Sequence, residues 1–124
     1  MNNEIAINYI NNNNLTGIMA GSQRQTFLDI WMVVVEDRIF ARSWGFAEKS
    51  WYNSFLEEPV GKIKCGENVF SIKATVPKDK AEITEKINIA YLTKYNTGHN
   101  IEYAKGIVEE NHIAKTMEFI IDEE

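Results

Sequence analysis

The chain has 124 residues, 44% of them hydrophobic and 25% charged, with a net charge of −5. That is the size and composition of one globular domain, too short for two. The acidic balance, with no run of Lys or Arg, points away from nucleic acid and from anionic lipid surfaces, because binding there depends on cations that displace counterions from phosphates.

The lone cysteine, Cys65, excludes an internal disulfide. The opening Met1-Asn2-Asn3-Glu4 lacks the basic and apolar regions of a leader peptide. The apolar run at residues 30–35 is too short to span a bilayer. These features imply a reducing, cytoplasmic setting.

Ile5, Tyr9 and Ile10 recur at helical spacing, so a short N-terminal helix is expected, ended by the asparagine run 11–14. Residues 1–14 thus read as a helix and an Asn-rich linker. Residues 15–22 hold two glycines and read as a short strand entering a loop. Residues 27–35 are β-branched and aromatic on both faces, the pattern of one strand buried on both sides. Glu36-Asp37 is a tight polar turn, and residues 38–43 form the return strand.

Trp44-Gly45 breaks that strand. Residues 48–57 read as a short helix with Trp51, Tyr52 and Phe55 on its inner side, stopped by Pro59. Residues 61–65 and 69–76 make a second hairpin around Gly66-Glu67-Asn68. Its alternation turns Phe70, Ile72, Ala74 and Val76 inward and Ser71, Lys73 and Thr75 outward.

Asp79 and Glu82 have the spacing of a capping box at the start of the longest helix. Ile83, Ile87, Ala90 and Tyr91 form its apolar stripe. The helix runs to about Tyr95, where Asn96-Thr97-Gly98 ends it with a glycine suited to a left-handed cap. Residues 101–110 are ambiguous, with a short helix the expectation, and residues 116–121 read as a final strand. About six strands in antiparallel hairpins, with one long and two or three short helices between them, make a single α+β domain: a small closed or half-closed barrel with helices packed outside.

Arg42-Ser43-Trp44-Gly45 is the first candidate site. An arginine fork at a strand end donates two parallel hydrogen bonds to a phosphate, Ser43 adds a hydroxyl, and Gly45 lets the backbone approach a ligand. The same residues also fit a solvated arginine before a turn. Trp51 and Tyr52 can stack on a planar ring or serve only as the core face of their helix. Arg24, in the polar loop 21–26, is an anion candidate in a segment that also reads as an ordinary loop.

Lys94 sits where a helix C-terminus favours a cation. His99 and His112 are far apart and neither has a second ligand at metal-site spacing, so no metal is expected. Cys65 reads as an inward strand residue rather than a nucleophile. No glycine-rich phosphate loop, dinucleotide fingerprint or serine-hydrolase elbow is present.

Several of these motifs occur in order from about residue 16 to residue 121: Trp31 with the valines 33–35, an acidic turn, Arg42 to Gly45, Trp51-Tyr52, Gly61 to Ile63, Ala90-Tyr91 with Lys94-Tyr95, and Thr116 to Phe119. In this the chain resembles an uncharacterised bacterial domain-of-unknown-function family. That family is similar to the deazaflavin-dependent nitroreductase-like proteins and, more remotely, to the pyridoxamine phosphate oxidase-like flavoproteins that bind flavin mononucleotide (FMN).

The resemblance implies a six-stranded split β-barrel of FMN-binding type, often dimeric, with a cleft for FMN or a deazaflavin. It makes Arg42, Ser43, Trp44, Gly45, Trp51, Tyr52 and Arg24 the cofactor candidates. Ala20-Gly21-Ser22-Gln23-Arg24 is only a loose echo of the relatives' phosphate loop. Two functions follow as expectations: an oxidoreductase-like protein whose flavin does the hydride chemistry, or a non-catalytic module that binds a small ligand or a protein on the same fold.

Overall fold

The two edges of the β-sheet are adjacent in sequence. The computed structural model describes residues 2–21, 25–44 and 50–122. In chain order these form α1 (Asn2–Asn12), β1 (Thr16–Ala20), β2 (Leu28–Ile30), β3 (Val33–Val35), β4 (Arg38–Arg42), α2 (Trp51–Glu57), β5 (Val60–Cys65), β6 (Asn68–Thr75), α3 (Lys80–Lys94), α4 (Asn100–Ile107), α5 (Glu110–Ile113) and β7 (Thr116–Ile121). The sheet has seven strands, all pairings antiparallel, in the order β2-β1-β5-β6-β7-β4-β3. It curls into a half-barrel, the α+β architecture expected from the hairpins.

Only Trp31 and Met32 lie between the edge strands β2 and β3. The stretch that reads as one strand is therefore two, and seven strands replace the expected six. The break has a cause outside the stretch. The Met32 carbonyl accepts from Lys94 Nζ at 2.6 Å and from Tyr95 Oη at 3.3 Å. A carbonyl captured by side chains is lost to the ladder, and the chain turns there from one edge of the sheet to the other. Double-sided burial holds for β3, whose Val33 and Val35 are buried with Val34 partly so, and fails for β2, whose Leu28 and Asp29 are exposed.

The curled sheet separates two cores. Inside, α1 and α2 pack Ala6, Ile10, Trp51, Tyr52 and Phe55 against Ile18, Ile63, Ile72, Met117 and Phe119. Outside, Val33, Val35 and Phe40 meet Ile83, Ile87, Tyr91 and Tyr95 of α3 and its end, with Ala104 and Ile107 of α4. The α3 stripe faces the sheet as its spacing requires. On β6, Phe70, Ile72 and Ala74 are buried, but Val76 lies past the strand end and is 37% exposed.

Local signals were redirected in three places. Asp79 is the N-cap of α3 but makes no side-chain cap bond. Its carboxylate receives two 2.9 Å hydrogen bonds from Arg38, which also holds Glu118. The charged fork displaces the weaker capping bond. Helix α3 ends at Tyr95 with φ −113, and Gly98, at φ +55, serves the turn into α4 instead. Helix α1 runs on into the asparagine run as far as Asn12, whose Nδ2 donates to Asn8 O at 2.7 Å.

Candidate functional site

The chain has three tryptophans, and all three line one cleft of about 390 Å³. They come from separate elements. Trp31 sits at the corner between β2 and β3, Trp44 follows β4, and Trp51 opens α2, whose N-cap Ser50 accepts from Asn53 N at 3.3 Å. Leu15, Leu28 and Ile30 add apolar wall, and Asp29, Arg42, Ser43 and Ser50 add polar groups.

Each indole has its own support. Trp31 lies flat on Tyr95, with ring centroids 3.8 Å apart and planes 5° from parallel. Trp44 is 44% exposed and stands edge-on to Tyr103 at 5.8 Å and to His112 at 4.6 Å. Gly106 on α4 makes room for it, since a Cβ there would come within 2.8 Å of Trp44 Cη2. Trp51 is buried and meets Tyr52, Phe55 and Phe119 at centroid distances of 5.8 to 6.3 Å. The cleft thus offers flat, pre-positioned rings, with one of them open to solvent.

Arg42 is 3% exposed. Its Nε donates to Thr116 Oγ1 at 3.1 Å, Nη1 to Asn88 Oδ1 at 2.5 Å and Ile107 O at 3.3 Å, and Nη2 to Thr84 O at 3.4 Å. Its backbone N–H donates to Tyr91 Oη at 2.9 Å, and its guanidinium lies 5.7 Å from that ring. Burial pushes the Arg42 pKa down, against a smaller opposing effect from Tyr91. Four of the five donors of this fork go to the protein, tying β4 to β7, α3 and α4.

Ser43 is buried beside it. Its N–H donates to Lys115 O at 3.2 Å, and its carbonyl accepts from His112 Nδ1 at 2.9 Å. The cleft therefore brings together Arg42, Ser43, Trp44 and Trp51 among the candidates from the sequence. Tyr52 lies in the inner core and does not line the cleft. Burial raises the pKa of its phenol. Arg24 and Gly45 lie outside the described residues.

Trp31, Asp29 and Ser50 were not singled out by the sequence. Trp31 was hidden inside an aliphatic run that reads as strand interior. The available signal was Asp29, the one polar residue in that run, two positions before Trp31.

Lys94 does not simply complement its helix end. Its Nζ donates to Ile10 O at 2.5 Å as well as to Met32 O, and burial draws its pKa down to about 8. Cys65 is buried, which pushes its thiol up to about 11. Thr16 Oγ1, on the inward face of β1 opposite Ile30, is buried with no hydrogen-bond partner among the described residues. Those residues contain no group of three or more His, Cys, Asp or Glu placed to hold a metal ion, and no helix long and apolar enough to cross a membrane.

A family model described as "Uncharacterized protein conserved in bacteria (DUF2255)" matches residues 7–119. Among solved structures, the chain is similar to the conserved hypothetical protein Rv2991 from Mycobacterium tuberculosis, at a TM-score of 0.60 and 14% identity, covering 98% of this chain and 79% of that one. At that identity the likeness concerns the fold. No curated protein matches the chain.

Proposed function

We propose that this chain, which belongs to the DUF2255 family of bacterial proteins, is a small-molecule binding half-barrel whose cleft takes a planar ring of the flavin or deazaflavin type. The convergence of all three tryptophans on one cleft carries this reading. Its volume falls within the roughly 300–1,000 Å³ of ordinary ligand pockets, and its mostly apolar wall with a few polar groups is the usual composition. Trp31, held by Tyr95, and Trp44, held by Tyr103 and His112, are the stacking faces. A bound flavin would supply the hydride chemistry itself, and the protein would orient it and exclude water.

The ring half of such a cofactor fits these residues better than the phosphate half. Four of the five Arg42 side-chain N–H donors already go to protein acceptors, which leaves most of a phosphate's contacts to other groups, the Arg24 loop among them. That engagement of Arg42 favours a second reading, a non-redox module that binds an aromatic ligand carrying no phosphate.

Titration with FMN and with a deazaflavin, read by tryptophan fluorescence and visible absorbance, tests both. Saturable quenching at micromolar concentration or below supports the flavin reading. Quenching by simple flat aromatics but by neither cofactor moves the function to the second. A reducing cytoplasmic compartment and a homodimer belong to the proposal as well, and sedimentation at monomer mass across a wide concentration range would remove the dimer.

A further inference from the structure

Arg42 is a buried cation lining the cleft, with no anion beside it among the described residues. Each of its four side-chain hydrogen bonds ends on a neutral acceptor: the Thr116 hydroxyl, the Asn88 amide oxygen, and the carbonyls of Ile107 and Thr84. Among the described residues, no carboxylate lies within ion-pair distance of it. Arg38, two turns of the pleat earlier on β4, shows the usual arrangement, with Asp79 and Glu118 both at 2.9 Å. A buried charge whose partners are all neutral keeps a strong local field, because little solvent is present to screen it.

Tyr91, whose ring centroid lies 5.7 Å from the Arg42 guanidinium, supplies no counter-charge. Its complete burial raises the phenol pKa well above the ordinary value, and the opposing effects of the Arg42 backbone bond and charge are smaller. Asp29 is the carboxylate among the described residues that line the cleft. It is exposed, so its charge is hydrated and its field is weak.

We infer that the cleft selects a flat aromatic anion over the neutral or cationic form of the same ring, and that Arg42 sets this preference through the field of its buried charge rather than by direct contact. The inference rests on the ring-binding reading above. It adds the ligand's charge, and it places that charge on or next to the ring rather than on a distant phosphate. Arg42 is then a positioning and selecting residue for the ligand.

Three probes with one ring system separate the possibilities: 2-naphthoate, 2-naphthamide and 2-naphthylmethylammonium, titrated calorimetrically into the full chain. The expected order is anion, then neutral, then cation, with naphthoate about tenfold tighter than naphthamide, the scale of one poorly screened charge. The order should survive about 0.5 M salt, which screens exposed charges far more than buried ones.

Equal affinities, or an inverted order, overturn the charge preference and leave ring binding standing. Failure of all three to bind overturns the ring-binding reading and the inference with it. Arg42→Gln, confirmed as folded by a cooperative melt, should bind naphthamide and naphthoate alike. A folded Arg42→Gln that keeps the tenfold preference removes Arg42 as its source. If that variant does not fold, the order of the three probes on the unaltered chain still decides whether the preference exists.

Discussion

The indole of Trp31 and the phenol of Tyr95 lie face to face, 3.8 Å apart and 5° from parallel, and the one Tyr95 O–H is shared between Asn14 O at 2.7 Å and Met32 O at 3.3 Å. One side chain at the end of α3 thus supports a wall of the cleft and fixes the corner where the sheet passes from one edge to the other. The two roles separate by mutation. Tyr95→Phe keeps the stack and loses the hydroxyl bonds, so it should cost about 1–2 kcal/mol in urea unfolding and leave ligand affinity near its original value. Trp31→Leu removes the stack, and should cost about 1–3 kcal/mol and also weaken binding of a planar ligand. A Tyr95→Phe protein as stable as the parent would show that the corner is held by other contacts.

Thr16 should be improvable. Its hydroxyl is buried without a partner among the described residues, and such a group keeps its desolvation cost with nothing in return. Thr16→Val keeps the branched shape, and should raise stability by about 1 kcal/mol in a chemical denaturation curve. A loss of stability of similar size would mean that the hydroxyl is satisfied after all.

The turn between β3 and β4 carries left-handed backbone at two residues with side chains, Glu36 at φ 53 and Asp37 at φ 60. A two-residue hairpin of this hand is best served by glycine in its second position. Asp37→Gly should therefore stabilise the domain by roughly 0.5–1 kcal/mol, seen as a rise in thermal midpoint. Asp37→Val, β-branched at a positive φ, should lower it.

Lys94 gives the molecule an alkaline pH dependence. Burial lowers its pKa to about 8 from the ordinary 10.5, so between these values the unfolded chain binds more protons than the folded one. Stability from this group is therefore present above about pH 10.5 and is lost as pH falls through about 8. The difference in unfolding free energy between the parent and Lys94→Met should change in the parent's favour as pH rises from 8 to 10.5. Cys65 titrates in the same region in the opposite sense, its folded pKa being raised to about 11, but it is common to both proteins and cancels. A difference that stays flat across this window would place the Lys94 pKa near its usual value.

Periodicity located the elements whose neighbours only confirm it. The β5–β6 hairpin, the Ile83, Ile87 and Tyr91 stripe of α3 and the last strand stand where their patterns place them. The break at Trp31 and Met32 was hidden because the hydrophobic run is continuous there, and the side chain that interrupts the ladder belongs to Lys94, 62 residues along the chain. Asp79 shows the same limit, since its spacing to Glu82 fits a capping box but Arg38, 41 residues away, binds it more strongly.

At the site, the cluster of Arg42, Ser43, Trp44 and Trp51 was legible as polar and aromatic residues close in sequence. The state of Arg42 was not. Whether an arginine at a strand end is solvated or buried depends on what covers it, and here Thr84, Asn88 and Ile107 come from helices formed much later in the chain.

Ring binding in the tryptophan cleft is tested by a fluorescence titration of the parent chain and of Trp44→Ala with FMN, a deazaflavin and 2-naphthoate. Trp44 is the exposed indole of the cleft, so its removal should leave the fold intact. At least one of these rings should quench the parent saturably, with an affinity about tenfold weaker in Trp44→Ala, in line with the roughly 1–1.5 kcal/mol of one aromatic contact. A parent chain that none of the three quenches, or a Trp44→Ala protein that binds as tightly as the parent, would contradict ring binding in this cleft.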